Sequence, residues 1–308
     1  MLDEADSDPS LERVKQAVLA TRDVESRLAG VFRRTFDQLY DGQHTGRYSW
    51  PQLFKTEKTH FGTLVEINIR REFDELIDDG SKLDFSIAGE EVDCKYSQAF
   101  GGWMLPPESF GELILVCTAN DASSEWAVGL VRVRDEYRRP GVNRDLKSGL
   151  NQAGRDAIDW LFRPGDLAPN VLLRADPEVR AQIFRPRSGQ QRLNELFRSV
   201  TNVRIGRNTV ATVAQQDDYM KRVRANGGSR SALASEGIII CGGDYESHRS
   251  IARDLGLPIP EPGEFVSVRV APASGEEPFW AVLEGQMWRV AEESDPIVAA
   301  PALPSTKK

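Results

Sequence analysis

A chain of 308 residues, 40% apolar and 28% charged, has the length for two domains and ample material for a core. No apolar run approaches the ~18 residues that span a bilayer, which argues against a membrane protein. The cysteines Cys94, Cys117 and Cys241 stand singly, which excludes a disulfide framework or zinc-finger spacing. The acidic start MLDEADSDPSLERV has neither the apolar stretch of a secretory signal nor the arginines of a transit peptide, so a reduced, cytoplasmic protein is expected.

Residues 1–10 read as a polar, mobile tail. Apolar residues at helical spacing, from Val14 and Val18 through Val31, Phe32, Phe36 and Leu39, predict one or two helices over 11–40. DGQHTG at 41–46 reads as a loop. Residues 63–80 read as a second helix closed by Asp78-Asp79-Gly80. Residues 82–97 read as two strands around the turn Ala88-Gly89-Glu90. The segments 111–119 and 125–137 are nearly continuous in apolar residues and predict central strands. With a helical stretch over 145–162, an α/β core is expected for a front domain at 11–165.

RPGDLAPN at 163–170, with Pro164, Gly165 and Pro169, reads as the linker to a second domain at 170–300. There 189–200 is helical. Residues 217–243 read as helix, Gly227-Gly228 turn, short helix and strand. A helix follows at 246–256, then short strands at 265–270, 279–285 and 287–290. A helix-turn-helix followed by a β-ribbon outlines a winged helix. The Pro- and Ala-rich tail after Asp295 reads as loose. No internal repeat is present.

The charge is uneven. Residues 170–230 hold twelve Lys/Arg against five Asp/Glu, a net +7 within a total of −8, so the rest of the chain carries −15. A local basic field of this size binds phosphates whatever the global sum. A solvated charged face would have the same composition. Within it, Lys221, Arg222 and Arg224 precede the Gly-Gly turn, and Ser229 and Arg230 open the short helix. Hydroxyls and backbone N–H groups at a helix start suit phosphate oxygens.

The strongest chemical signal is VDCK at 92–95. On a strand, Asp93 and Lys95 project to one face and Cys94 to the other. Asp84 lies on the preceding strand of the hairpin, and Glu66 on the helix before it. Glu91 faces the same way as Asp93 and Lys95 and competes with Asp84 as a ligand. Carboxylate oxygens hold Mg²⁺, which polarises a phosphate and acidifies a bound water, while a neighbouring Lys stabilises growing negative charge. Phosphodiester hydrolysis needs this set, and an acid followed by Asp-x-Lys is the PD-(D/E)xK pattern of restriction-endonuclease-like nucleases.

Other chemistries lack their residues. G-x-S-x-G, Walker A and Rossmann glycine patterns are missing. His44, His60 and His248 are scattered. KTEKTH at 55–60 offers Lys55 and Lys58 to a phosphate, or a solvated loop. Leu39-Tyr40-Asp41-Gly42 resembles the K-x-D-G motif of DNA ligases, but Leu cannot form a nucleotidyl adduct, so a helix end and turn is the better reading.

The chain also resembles the NaeI family of type II restriction endonucleases. The matching pieces include DQLYDGQ (37–43), KTEKTH (55–60), GTLVEIN (62–68), VDCK (92–95), WMLPPES (103–109), NRDLK (143–147), ATVAQQDD (211–218), MKRVR (220–224) and EGIII (236–240). They run in order over residues 12 to about 300, and the match is thinnest at 74–83, 123–142 and 150–192. The resemblance implies a homodimeric, Mg²⁺-dependent enzyme that cuts double-stranded DNA at a GC-rich palindrome such as GCCGGC. It implies an endonuclease domain and an effector domain whose helix-turn-helix is similar to that of catabolite activator protein, and which binds a second copy of the site. It maps the catalytic residues onto Glu66, Asp84, Asp93 and Lys95, with the three acids as metal ligands, and so favours Asp84 over Glu91. Two other readings are a DNA-binding regulator with an inactive front domain and a nicking or repair nuclease.

Overall fold

A computed structural model describes residues 8–304. The tail expected over 1–10 lies, for residues 1–7, outside them. The chain divides into two compact units, one of residues 1–39 and 49–170, the other of 40–48 and 171–308. No helix among the described residues is long and apolar enough to cross a membrane.

The first unit opens with α1 (Pro9–Leu19), where Asp8 accepts a hydrogen bond from Leu11 N and Pro9 fills the first turn. Next comes α2 (Val24–Tyr40). A short helix, α3 (Gly42–Thr45), stands where a loop was expected and belongs to the second unit. A Cβ on Gly42 would sit 2.0 Å from Thr212 Oγ1, so only glycine lets α3 pack this closely. The long α4 (Lys55–Glu72) starts eight residues before the expected helix, so KTEKTH forms its first turns and is no loop.

That helix also ends earlier than expected. Ile77 is buried and begins a strand, β1 (Ile77–Asp79), paired with β2 (Phe85–Ile87). After β3 (Glu90–Tyr96) come the two-residue β4 (Met104–Leu105), then β5 (Leu113–Asn120) and β6 (Glu125–Arg132). The predicted helix at 145–162 is not formed. β7 (Ser148–Gly149), the single turn α5 (Gln152–Asp156) and β8 (Asp159–Asp166) take its place. Trp160 and Phe162 lie on the sheet, and the expected linker contributes Arg163–Asp166 to β8.

The main sheet runs β1-β2-β3-β5-β6-β8, and β3 beside β5 is its parallel pair. Its two faces are covered differently. Phe36 packs on Phe61, and Phe61 on Tyr96, so α2 and α4 cover the face that Tyr96 presents. Trp103, Leu105, Ile114, Val116, Val131 and Leu150 form the core on the other face.

In the second unit the helices α6 (Val171–Arg174), α7 (Pro177–Phe184), α8 (Gly189–Ser199), α9 (Arg207–Ala214) and α10 (Ser229–Ala234) gather around Leu193, Phe197, Val210 and Leu233. β9 (Ile205–Gly206) precedes α9, and Tyr219–Val223 is a 3-10 turn, not the helix expected there. β10 (Ile238–Gly242), α11 (Glu246–Asp254), β11 (Glu264–Pro272), β12 (Ala281–Leu283) and β13 (Gln286–Val290) complete it. The sheet order is β10-β11-β13-β12, with β9 also on β11. Ile238 and Ile240 face the helices, while Ile239 and Cys241 face a second core with α11, so β10 is apolar without alternation. The tail was expected to be loose after Asp295, but its described part, residues 296–304, is packed. Val298, Ala300 and Leu303 pack on that second core, Ala300 N donates to Ala234 O, and Pro304 O lies 2.8 Å from His248 Nε2.

Candidate active site

The hairpin of β2 and β3 turns at Ala88 and Gly89, both with positive φ, and pairs Phe85 with Val92. Continuing that register sets Asp84 across from Asp93. β2 stops at Phe85, so the N–H of Cys94 finds no strand partner there. Asp84 Oδ2 accepts it at 2.9 Å and replaces the missing ladder bond.

Lys95 joins the two acids. Its Nζ donates to Asp93 Oδ1 at 2.5 Å, to Cys94 O at 3.1 Å and to Asp84 Oδ2 at 3.4 Å. The Asp93 side chain is 4% exposed, and its second oxygen, Oδ2, is buried without a hydrogen-bond partner. Burial, then the adjacent Asp84 carboxyl, raise the Asp93 carboxyl well above the ordinary range, against the pull of Lys95. Burial acts on Asp84 in the same sense. There the adjacent Asp93 carboxyl, the Cys94 N–H and the Lys95 charge prevail and lower it. Burial would lower Lys95, but its bond to Asp93 and the charges of both acids hold it above the usual value, so it stays a cation. Glu66, on α4, is raised by burial and then by the Asp84 charge, with Lys95 opposing.

Asp84, Asp93 and Lys95 therefore come together, and Glu66 lies within their electrostatic reach. Among the described residues no group of three or more His, Cys, Asp or Glu side chains is close enough to hold a metal ion. The two aspartates still fit a hard cation. Their donors are all oxygen, and Asp93 Oδ2 has an unused buried lone pair. Mg²⁺ characteristically takes one or two carboxylates, several waters and phosphate oxygens.

Glu91, the competitor for Asp84, is engaged elsewhere. Its carboxylate accepts from Ser81 N and Oγ, Lys82 N and Leu83 N at 2.7–3.1 Å. The Ser81 hydroxyl first, then those backbone donors, bring it down to about 2. Sequence reasoning missed this role. The available signal was the Gly80-Ser81 pair three residues before Asp84.

The expected DNA contacts divide into two groups. Lys55 is exposed and Lys58 half-buried on α4. Eleven residues at 100° each return Lys55 to nearly the face of Glu66, about 16 Å along the axis. Lys221 and Arg224 are exposed, and Arg222 pairs with Asp218. Ser229 and Arg230 turn inward, contrary to expectation. Ser229 is fully buried, bonding Asn194 and Gln190 to tie α10 to α8. Arg230 Nε donates to Ile240 O at 2.9 Å, and its guanidinium lies over the Tyr245 ring.

The fold and site define a class: a mixed α/β protein with a carboxylate–lysine centre on a hairpin of its larger sheet. Comparison with known proteins narrows it. The family model described as restriction endonuclease NaeI matches residues 12–299. The type II restriction enzyme NaeI of Lentzea aerocolonigenes is 49% identical, over 97% of this chain and 96% of that protein. The chain belongs to the NaeI family of restriction endonucleases.

Proposed function

We propose that this type II restriction endonuclease makes Mg²⁺-dependent double-strand cuts at a GC-rich palindrome such as GCCGGC, acting as a homodimer. In this reading the first unit is a PD-(D/E)xK nuclease built on Asp84, Asp93 and Lys95. The second is a winged helix that binds another copy of the site and activates cleavage. One observation carries the nuclease reading: Lys95 Nζ lies within hydrogen-bond reach of both aspartates, one of which keeps a buried oxygen free.

Asp84 and Asp93 would hold the cation, which supplies charge for the phosphate and a more acidic water. The chain's own residues do the rest. Cys94 N–H fixes the Asp84 oxygen that faces Lys95. Lys95, a cation held between two acids, offers its charge to the phosphate oxygens as negative charge builds on them. Burial of Asp93 strengthens every interaction at that centre. Glu66 adds negative charge beside the Asp84–Lys95 pair. For the second unit, three helices (α8, α9 and α10) accompany strands in the order β9-β11-β10. That arrangement supports the winged-helix reading.

The test is a plasmid digest with Mg²⁺. Discrete double-strand fragments ending at one sequence are expected. Nicks alone would replace the palindromic enzyme with a nicking nuclease, and full cleavage in EDTA would remove the metal mechanism.

A further inference from the structure

We propose that Glu91 is a positioning residue of the cleavage site, fastening the turn Ser81–Leu83 and thereby setting Asp84 against Lys95. The inference rests on the reading of Asp84, Asp93 and Lys95 as that site. Glu91 Oε1 accepts from Ser81 N at 2.8 Å and from Ser81 Oγ at 2.7 Å. Its Oε2 accepts from Leu83 N at 2.9 Å and Lys82 N at 3.1 Å. Three successive backbone N–H groups thus converge on one carboxylate.

The turn is built for that anchor. A Cβ on Gly80 would lie 2.2 Å from Leu83 O and 2.9 Å from Glu91 Oε2, so the chain closes around the carboxylate only with glycine there. Asp84 follows Leu83 directly. It precedes β2, so no ladder bond holds it, and its side chain reaches Cys94 N–H and Lys95 from the end of this turn. The strand that carries Asp93 and Lys95 therefore also carries, two residues earlier, the clamp for their partner acid. Partners that orient a metal-binding side chain typically change metal affinity or activity by about 10–100-fold when removed.

The experiment compares full-length wild type with Glu91→Ala and Glu91→Gln. Amide exchange is read by mass spectrometry over residues 80–85 and 92–96 in protein free of metal and DNA. The Mg²⁺ concentration for half-maximal cleavage is measured alongside. Both variants are expected to exchange faster at 80–85 and 92–96, with β5 and β6 unchanged. The Mg²⁺ midpoint should rise about 10-fold or more, with cleavage recovering at high Mg²⁺. Glu91→Gln preserves side-chain volume and serves where Glu91→Ala does not fold. Wild-type exchange over 92–96, or faster exchange with an unmoved midpoint, overturns the inference. If Asp93→Asn cleaves normally, the site reading itself has failed, and the exchange arm alone decides whether Glu91 holds Asp84.

Discussion

Asp93 is an acid that the fold keeps dry. Burial raises its folded-state value above the ordinary 3.8, so between those two values the folded chain binds more protons than the unfolded one. Stability of the metal-free protein should therefore fall as pH rises through that window. Asp93→Asn removes the penalty, and without metal it should melt a few degrees above wild type near neutral pH, the gap closing below pH 3.8. It should also cleave at least about 100-fold more slowly, since the isosteric amide carries no charge for a cation. Calorimetry at two pH values checks the first effect, and equal melting temperatures would show that Asp93 bears no burial cost. Lys95→Met should lose cleavage to a similar extent, because a thioether has no charge for the phosphate. Strand alternation made Asp93 and Lys95 legible in the sequence. The choice between Asp84 and Glu91 was not legible from facing, because both point to one side. Only the turn wrapped around the Glu91 carboxylate separates them.

At the scale of elements, the sequence was clearest where one face is buried and hardest where an element depends on distant partners. α2 repeats buried Leu28, Val31, Phe32 and Phe36 at helical spacing and was readable. Residues 145–162 were not, because β8 is a strand only through β6. Gly129 stands opposite Trp160, and a Cβ there would lie 2.6 Å from Ile158 and 3.0 Å from the Trp160 ring. Gly129→Ala should destabilise the first unit by about 1–3 kcal/mol, the usual cost of overpacking, and a denaturant titration reads it. The C-terminal strap was misread for a related reason: its anchor is a buried histidine elsewhere in the chain. Gly242 N donates to His248 Nδ1, and His248 Nε2 bonds Pro304 O. Burial, then the charge of Arg230, depress His248 to about 4 from 6.5. The unfolded chain binds more protons between those values, so this contribution is present above pH 6.5 and is lost as pH falls towards 4. It amounts to up to about 3 kcal/mol. Amide protection over 296–304, taken relative to the intrinsic exchange rate at each pH, should fall in wild type as pH drops from 6.5 towards 4, and constant protection would remove His248 as the clasp.

The whole molecule carries −8, yet its second unit holds the basic stretch that a polyanion would seek. Several of the surrounding arginines are already engaged by the protein itself. Arg192 donates to Val213 O and Ala214 O, Arg198 pairs with Glu236, and Arg204 with Glu264. Composition could not separate these from the cations left for a ligand. Lys221 and Arg224, exposed beside the Gly227-Gly228 turn, have no ion-pair partner among the described residues. If the second unit binds a separate copy of the site, short duplexes carrying it should speed cleavage of a single-site plasmid by the intact enzyme. The double variant Lys221→Ala/Arg224→Ala should lose that stimulation while keeping the wild-type Mg²⁺ midpoint, because neither residue belongs to the first unit. Each lost phosphate contact releases about one counterion fewer, so the slope of log affinity against log salt should become shallower by about 0.9 per residue. Arg230→Ala should instead lower the melting temperature, since its guanidinium bonds Ile240 O inside the fold. A single-site plasmid cut equally fast with and without added duplex would end the two-site reading. Stimulation that survives the double variant with an unchanged salt slope would move the second DNA site to another face of that unit.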